Sequence, residues 1–152
     1  MDALNVGDTA PHFKLPTDEG TELSLSDLRG KTVVLYFYPR DNTPGCTREA
    51  CAFRDGLAQI KRKEAVVLGV SADSIASHQK FKKDQRLNFP LLSDAEKKMA
   101  QAYGVWKEKS LYGRKFMGLE RTTFVINPSG KIAKIFPKVK VDGHFEEVLS
   151  SL

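Results

Sequence analysis

The chain has only two cysteines in 152 residues, and they are not spaced as C-x-x-C. That absence removes the usual redox dithiol and the usual paired zinc ligands. A zinc site would need two further ligands, and the three histidines, His12, His78 and His144, stand singly and far apart. No apolar run approaches the length of a bilayer-spanning helix, so no membrane partner is expected. The opening residues, Met-Asp-Ala-Leu-Asn, lack the basic and apolar regions of a secretory signal. A cytoplasmic protein is the expectation, and in that compartment two cysteines rarely form a permanent staple. Repeats, low-complexity tracts and linkers are missing, so residues 1–152 read as one domain.

What is present suits a packed core. Hydrophobic residues make up 41% of the chain and charged residues 28%, which argues against wholesale disorder. The net charge of +5 could attract nucleic acid. The lysines are spread along the chain, however, and the cluster Lys61-Arg62-Lys63 falls at an expected helix end, where cations complement the helix dipole. The charge therefore reads as solvated surface, with no nucleic-acid partner.

Along the chain, His12–Leu15 and Thr21–Leu25 alternate as strands around the turn Asp18-Glu19-Gly20, which predicts a small hairpin. Thr32–Tyr38 is a continuous apolar run, as in a strand buried on both faces. Pro39 should stop it. Thr43 and Pro44 form a helix start. The helix should run from Pro44 to Lys63 with Cys46, Ala50, Phe53, Leu57 and Ile60 on its buried stripe, leaving Cys51 well off it. Ala65–Val70 is a second buried strand, followed by a helix over Ile75–Gln85 anchored by Phe81. Phe89–Leu92 is a short extended piece. Asp94 should cap a helix over Ala95–Tyr103 that Gly104 ends. Val105–Glu120 is long, basic and aromatic, with breaks at Gly113 and Gly118, and reads as an ordered loop of unassigned shape. Arg121–Ile126 and Lys131–Phe136 should pair antiparallel through Asn127-Pro128-Ser129-Gly130, and His144–Leu152 closes the chain as a helix. This order predicts an α/β sandwich of the thioredoxin type, with a central mixed sheet flanked by helices and an N-terminal β-hairpin extension.

The corner Pro39–Cys51, P-R-D-N-T-P-G-C-T-R-E-A-C, holds both cysteines. A thiol becomes a nucleophile by becoming a thiolate. The first turn of a helix favours that anion through unpaired amides and a partial positive charge. Cys46 is placed there, with Arg40 and Arg48 near in sequence. The plainer reading is a buried core cysteine, since Cys46 lies on the apolar stripe. Thr43 reads equally as a helix cap, Arg121 as a strand-edge surface residue and Glu49 as an ordinary first-turn acid. Trp106 and Phe116 read as packing residues that could border a pocket.

P-R-D-N-T-P-G-C matches the P-x-x-x-T-x-x-C motif of the peroxiredoxins. C-T-R-E-A-C resembles the two-cysteine helix of their bacterioferritin comigratory protein, or peroxiredoxin Q, subfamily, and Arg121–Ile126 resembles its arginine-bearing strand. The resemblance runs from Gly7-Asp8-Thr9-Ala10-Pro11 through Asp94 to His144. It implies that Cys46 is the peroxidatic cysteine and becomes a sulfenic acid. Thr43 would hydrogen-bond the thiolate and the peroxide. Arg121 would stabilise the thiolate and the leaving oxygen. Pro39 would shield the pocket, Glu49 could accept a hydrogen bond beside it, and Cys51 would resolve the sulfenic acid as a Cys46–Cys51 disulfide. Hydroperoxides would be the substrates and thioredoxin, or a glutaredoxin-like dithiol, the reductant, with no metal, haem or flavin. With the resolver in the same chain a monomer suffices.

Residues five apart in an α-helix lie roughly 8.5 Å apart at Cα and point about 140° away from each other. A disulfide needs about 7 Å or less and converging Cβ atoms. The helix should therefore be intact when reduced and locally melted when oxidised. A thiol-disulfide oxidoreductase on the same fold and a non-enzymatic redox sensor are the competing readings.

Overall fold

The computed structural model describes residues 4–152. The alternating segments near the N-terminus pair as an antiparallel hairpin of β1 (Lys14–Pro16) and β2 (Glu22–Ser24), followed by a 3-10 turn over Leu25–Leu28. The apolar run forms β3 (Thr32–Phe37), and α1 (Pro44–Arg62) follows it with Thr43 as N-cap residue. Next come β4 (Ala65–Ser71), α2 (Ile75–Gln85), β5 (Leu91–Ser93) and α3 (Lys98–Ala102). Strands β6 (Trp106–Leu111), β7 (Arg114–Leu119), β8 (Thr122–Ile126) and β9 (Ile132–Phe136) precede α4 (His144–Ser150).

The main sheet has the order β5-β4-β3-β8-β9. Strand β3 pairs parallel with β4 and antiparallel with β8, which makes the sheet mixed, as expected. It is central, so both its faces are covered. Val33, Leu35 and Phe37 join Phe124, Ile126 and Tyr103 on one side. Val34, Tyr36 and Tyr38 meet Cys46, Phe53, Ile60 and Phe81 on the other. The two-residue period of the strand thus serves two cores, and the whole predicted stripe of α1 is buried in the second.

Two expectations need correction. The helix expected over Ala95–Tyr103 spans only Lys98–Ala102. Asp94 is its acid, but the carboxylate reaches the amides of Met99 and Ala100 at 3.2 and 2.8 Å. The intervening residues form a turn, with Lys97 left-handed at φ 60°. At the other end Gly104 adopts φ 72°, and Val105 N–H reaches Ala100 O at 2.9 Å, a Schellman closure. The second correction concerns residues 105–120, which are a β-hairpin rather than a loop. Tyr112 and Gly113 both have positive φ, 52° and 76°, as a two-residue type I′ turn requires. Gly118 is no break; it lies within β7 opposite Lys107. Trp106 packs against the core at the hairpin's base, whereas Leu111, Tyr112, Phe116 and Met117 are exposed.

Candidate active site

The site lies where β3 hands over to α1. Tyr38 N–H still bonds Val70 O, at 3.0 Å, and the strand ladder stops at Pro39, which has no N–H to donate. Pro39 and Arg40 are exposed. Asn42 turns the chain at φ 59°, and Thr47 N–H makes the first α-helical bond, to Thr43 O at 2.8 Å. Gly45 and Cys46 therefore sit in the first turn, ahead of that bond, where helix amides lack an i−4 carbonyl.

Cys46 is buried and Cys51 half-buried, and both are free thiols within an intact α1. Cys51 Sγ points to Gln85 Oε1, 3.6 Å away, on α2. The two sulfurs face different surroundings, as their spacing requires.

Arg121 comes to Cys46 from the residue before β8. Its Nη2 is 3.3 Å from Sγ and its Nη1 2.6 Å from Glu49 Oε1. The plainer reading of Arg121 as a strand-edge surface residue does not hold, since only 17% of its side chain is exposed. Gly45 makes room for it: a Cβ there would lie 3.2 Å from Nη2. Glu49 is buried on the sheet side of α1, and its Oε2 has no hydrogen-bond partner among the described residues. Burial raises its pKa from 4.5 to about 7, against the opposing charge and hydrogen bond of Arg121.

Other neighbours are arranged differently from the sequence reading. Thr43 makes no side-chain cap; its hydroxyl donates to Arg40 O at 2.9 Å. Arg48 does not face the sulfur but pairs with Asp142 at 2.6 Å on the surface. His78 and His144 are separate, satisfied core residues. His78 contacts Asp41 at 2.7 Å, and His144 lies 2.7 Å from both Thr123 Oγ1 and Glu147 Oε1.

Sequence reasoning missed Asp41, Asp73 and His78, whose ligand-type atoms lie within 4.8 Å of one another. Both oxygens of Asp41, Oδ2 of Asp73 and Nε2 of His78 are already engaged, with Tyr38, Ser77, Ser71 and the Leu92 carbonyl. A signal existed: His78 stands three residues before the anchor Phe81, on the same helical face.

A buried free cysteine in the first turn of a helix, on a thioredoxin-type sandwich, with a guanidinium on its sulfur, defines the class of thiol-based redox enzymes. The chain belongs to the AhpC/TSA family, whose model matches residues 6–135, and within it to the bacterioferritin comigratory protein, or peroxiredoxin Q, group. A bcp peroxiredoxin of Coxiella burnetii is 53% identical over 150 residues, covering 99% of each chain. The crystal structure of a cysteine-to-serine variant of Xylella fastidiosa PrxQ superposes with a TM-score of 0.93 at 42% identity, covering 99% of this chain and 96% of that one. A bacterioferritin comigratory protein structure from Xanthomonas campestris gives 0.88 at 40% identity, covering 91% and 88%. Among the described residues, no helix is long and apolar enough to cross a membrane.

Proposed function

We propose that the chain is a thiol-dependent peroxidase in which Cys46 attacks the hydroperoxide and Cys51 resolves the product. The observation that carries this reading is the contact of Arg121 Nη2 with Cys46 Sγ, with Nη1 anchored on Glu49. The Cys46 thiolate takes the terminal oxygen of the peroxide. The O–O bond breaks, an S–O bond forms, and the leaving alkoxide or hydroxide takes a proton to become alcohol or water. Arg121 faces the charge on both the sulfur and the departing oxygen. In the resting arrangement Thr43 spends its hydroxyl proton on Arg40 O, so its lone pairs are free to accept from a peroxide O–H. Pro39 shapes the exposed rim. Cys51 then attacks the sulfenic acid, a Cys46–Cys51 disulfide forms, and water leaves.

Two electrons from an external dithiol restore both thiols. The reductant we assign is thioredoxin or a glutaredoxin-like protein. The Xanthomonas campestris relative is described as reducing alkyl peroxides, and we extend that substrate class, with hydrogen peroxide, to this chain. Residues 1–152 act as one domain, in the cytoplasm, and a monomer contains every group the cycle needs.

Stoichiometric hydrogen peroxide should remove both thiols from the reduced parent. Cys51→Ser should halt at a sulfenic acid on Cys46, and Cys46→Ser should be inert. Rapid oxidation persisting in Cys46→Ser would sink the assignment. A disulfide exchanged readily with other proteins but formed slowly with peroxide would favour the oxidoreductase reading.

A further inference from the structure

Beyond Tyr38, the loop between β3 and α1 is fastened to the rest of the fold through Asp41, which is 7% exposed. Three side chains converge on its carboxylate. Tyr38 donates to Oδ1 at 2.6 Å, and Ser77 donates to Oδ2 at 2.8 Å. His78 Nδ1 lies 2.7 Å from the same Oδ2. The Asp41 amide donates to Asp73 Oδ2 at 2.8 Å, and that oxygen also accepts from Ser71. His78 Nε2 faces the carbonyl of Leu92 at 2.9 Å. A carbonyl only accepts, so Nε2 carries a proton. His78 Nδ1 faces the same Asp41 oxygen that accepts from Ser77. The two side chains form a buried imidazole–carboxylate pair. Burial works against the charge on His78, yet Asp41 and the Leu92 carbonyl together raise its pKa.

Such a pair is costly to bury and strongly destabilising to break halfway, so its place in the fold matters. It joins the loop to the ends of β4 and β5 and to the first turns of α2, five residues before Cys46. The segment that must unwind for Cys46 to meet Cys51 begins immediately after it. We propose that Asp41 and His78 are positioning residues for the Cys46 chemistry: they form a fixed clamp that stops the unwinding of α1 from spreading upstream and opposes its onset. The inference rests on the Cys46–Cys51 reading above. It differs from that reading in locating the immobile end of the moving segment, and it assigns a task to a buried cluster that touches neither sulfur.

The test is amide exchange on the whole chain, in the reduced form and in a disulfide form made with diamide, so that no peroxide turnover is required. In the parent disulfide form, amides of residues 47–51 should lose protection while the Asp41 amide keeps it. In reduced Asp41→Asn, amides 47–49 should exchange about tenfold faster than in the parent, the effect of removing one charged buried hydrogen-bond partner. The step from sulfenic acid to disulfide should quicken by a similar factor. Attack on peroxide should fall no more than about threefold, because most molecules remain folded at the corner. Ser77→Ala, which removes one donor without changing charge, should move the same readouts in the same direction by about threefold. A purely structural role would lower the melting temperature and leave these rates at parental values. The proposal is overturned by that result, or by an Asp41 amide that opens together with residues 47–51. The expected exchange pattern in a chain that ignores peroxide would sink the peroxidase reading alone.

Discussion

Arg121 Nη2 rests 3.3 Å from Cys46 Sγ although 75 residues separate the two in sequence. The other arm of the guanidinium is held by Glu49, so its position does not depend on substrate. A lysine is a point charge on a flexible stem and lacks the rigid fork that holds separate nitrogens against the two partners. Arg121→Lys and Arg121→Ala should both lower the second-order rate of peroxide attack by about 100-fold, the scale of a lost preorganised charge donor. Stopped-flow thiol oxidation measures it. A loss below threefold in Arg121→Ala would remove the guanidinium from the chemistry.

Glu49 makes stability depend on pH. Its folded pKa is raised from 4.5 to about 7, first by burial and only partly offset by Arg121. An acid raised in this way favours the folded state when protonated. Its contribution is complete below pH 4.5 and is lost as pH rises through about 7. Over that window it amounts to at most about 3 kcal/mol. The urea midpoint should therefore fall between pH 5 and 8, and Glu49→Gln should remove most of that fall while keeping an acceptor for Arg121. An unchanged slope in the variant would assign the dependence to other groups.

The legibility of the fold follows from how local its signals are. The α1 stripe and the body of α2 around its anchor Phe81 were readable because their apolar residues lie within the element itself. The β6–β7 hairpin was not, because Tyr112 is a poor marker for a left-handed turn position. Basic side chains on both faces also erase the strand alternation. The same holds at the site. Cys46 and Thr43 sit in one local motif. The pairing of Arg121 with Glu49, and of Asp41 with His78, depends on topology that brings distant segments together.

Gly56 sits where α1 crosses α4. A Cβ on it would fall 1.9 Å from Phe145 Cζ, so the ring must move. Gly56→Ala should destabilise the fold by about 1–3 kcal/mol, the usual range for overpacking, despite the better helix propensity of alanine. Chemical denaturation would show it. Adding Phe145→Leu should recover part of the loss, and no recovery would mean that the clash lies elsewhere.

Gly45 tests whether α1 must unwind during turnover. It is in the helix's first turn, next to Cys46, and alanine there should favour the helix by about 0.5–1 kcal/mol. That gain belongs to the folded corner and is lost when the corner melts. Disulfide formation from the Cys46 sulfenic acid should then slow by about two- to fivefold, in proportion to the added helix stability. A slower resolving step leaves the sulfenic acid exposed to a second peroxide, so sulfinic acid should accumulate more readily at high peroxide. The new Cβ also sits 3.2 Å from Arg121 Nη2, which can change the attack rate. The two effects separate because attack depends on peroxide concentration and resolution does not. Mass spectrometry of quenched reactions resolves thiol, sulfenic acid, disulfide and sulfinic acid. If disulfide formation in Gly45→Ala runs at the parental rate, the helix does not open in the rate-setting step, and Cys51 reaches Cys46 by another movement.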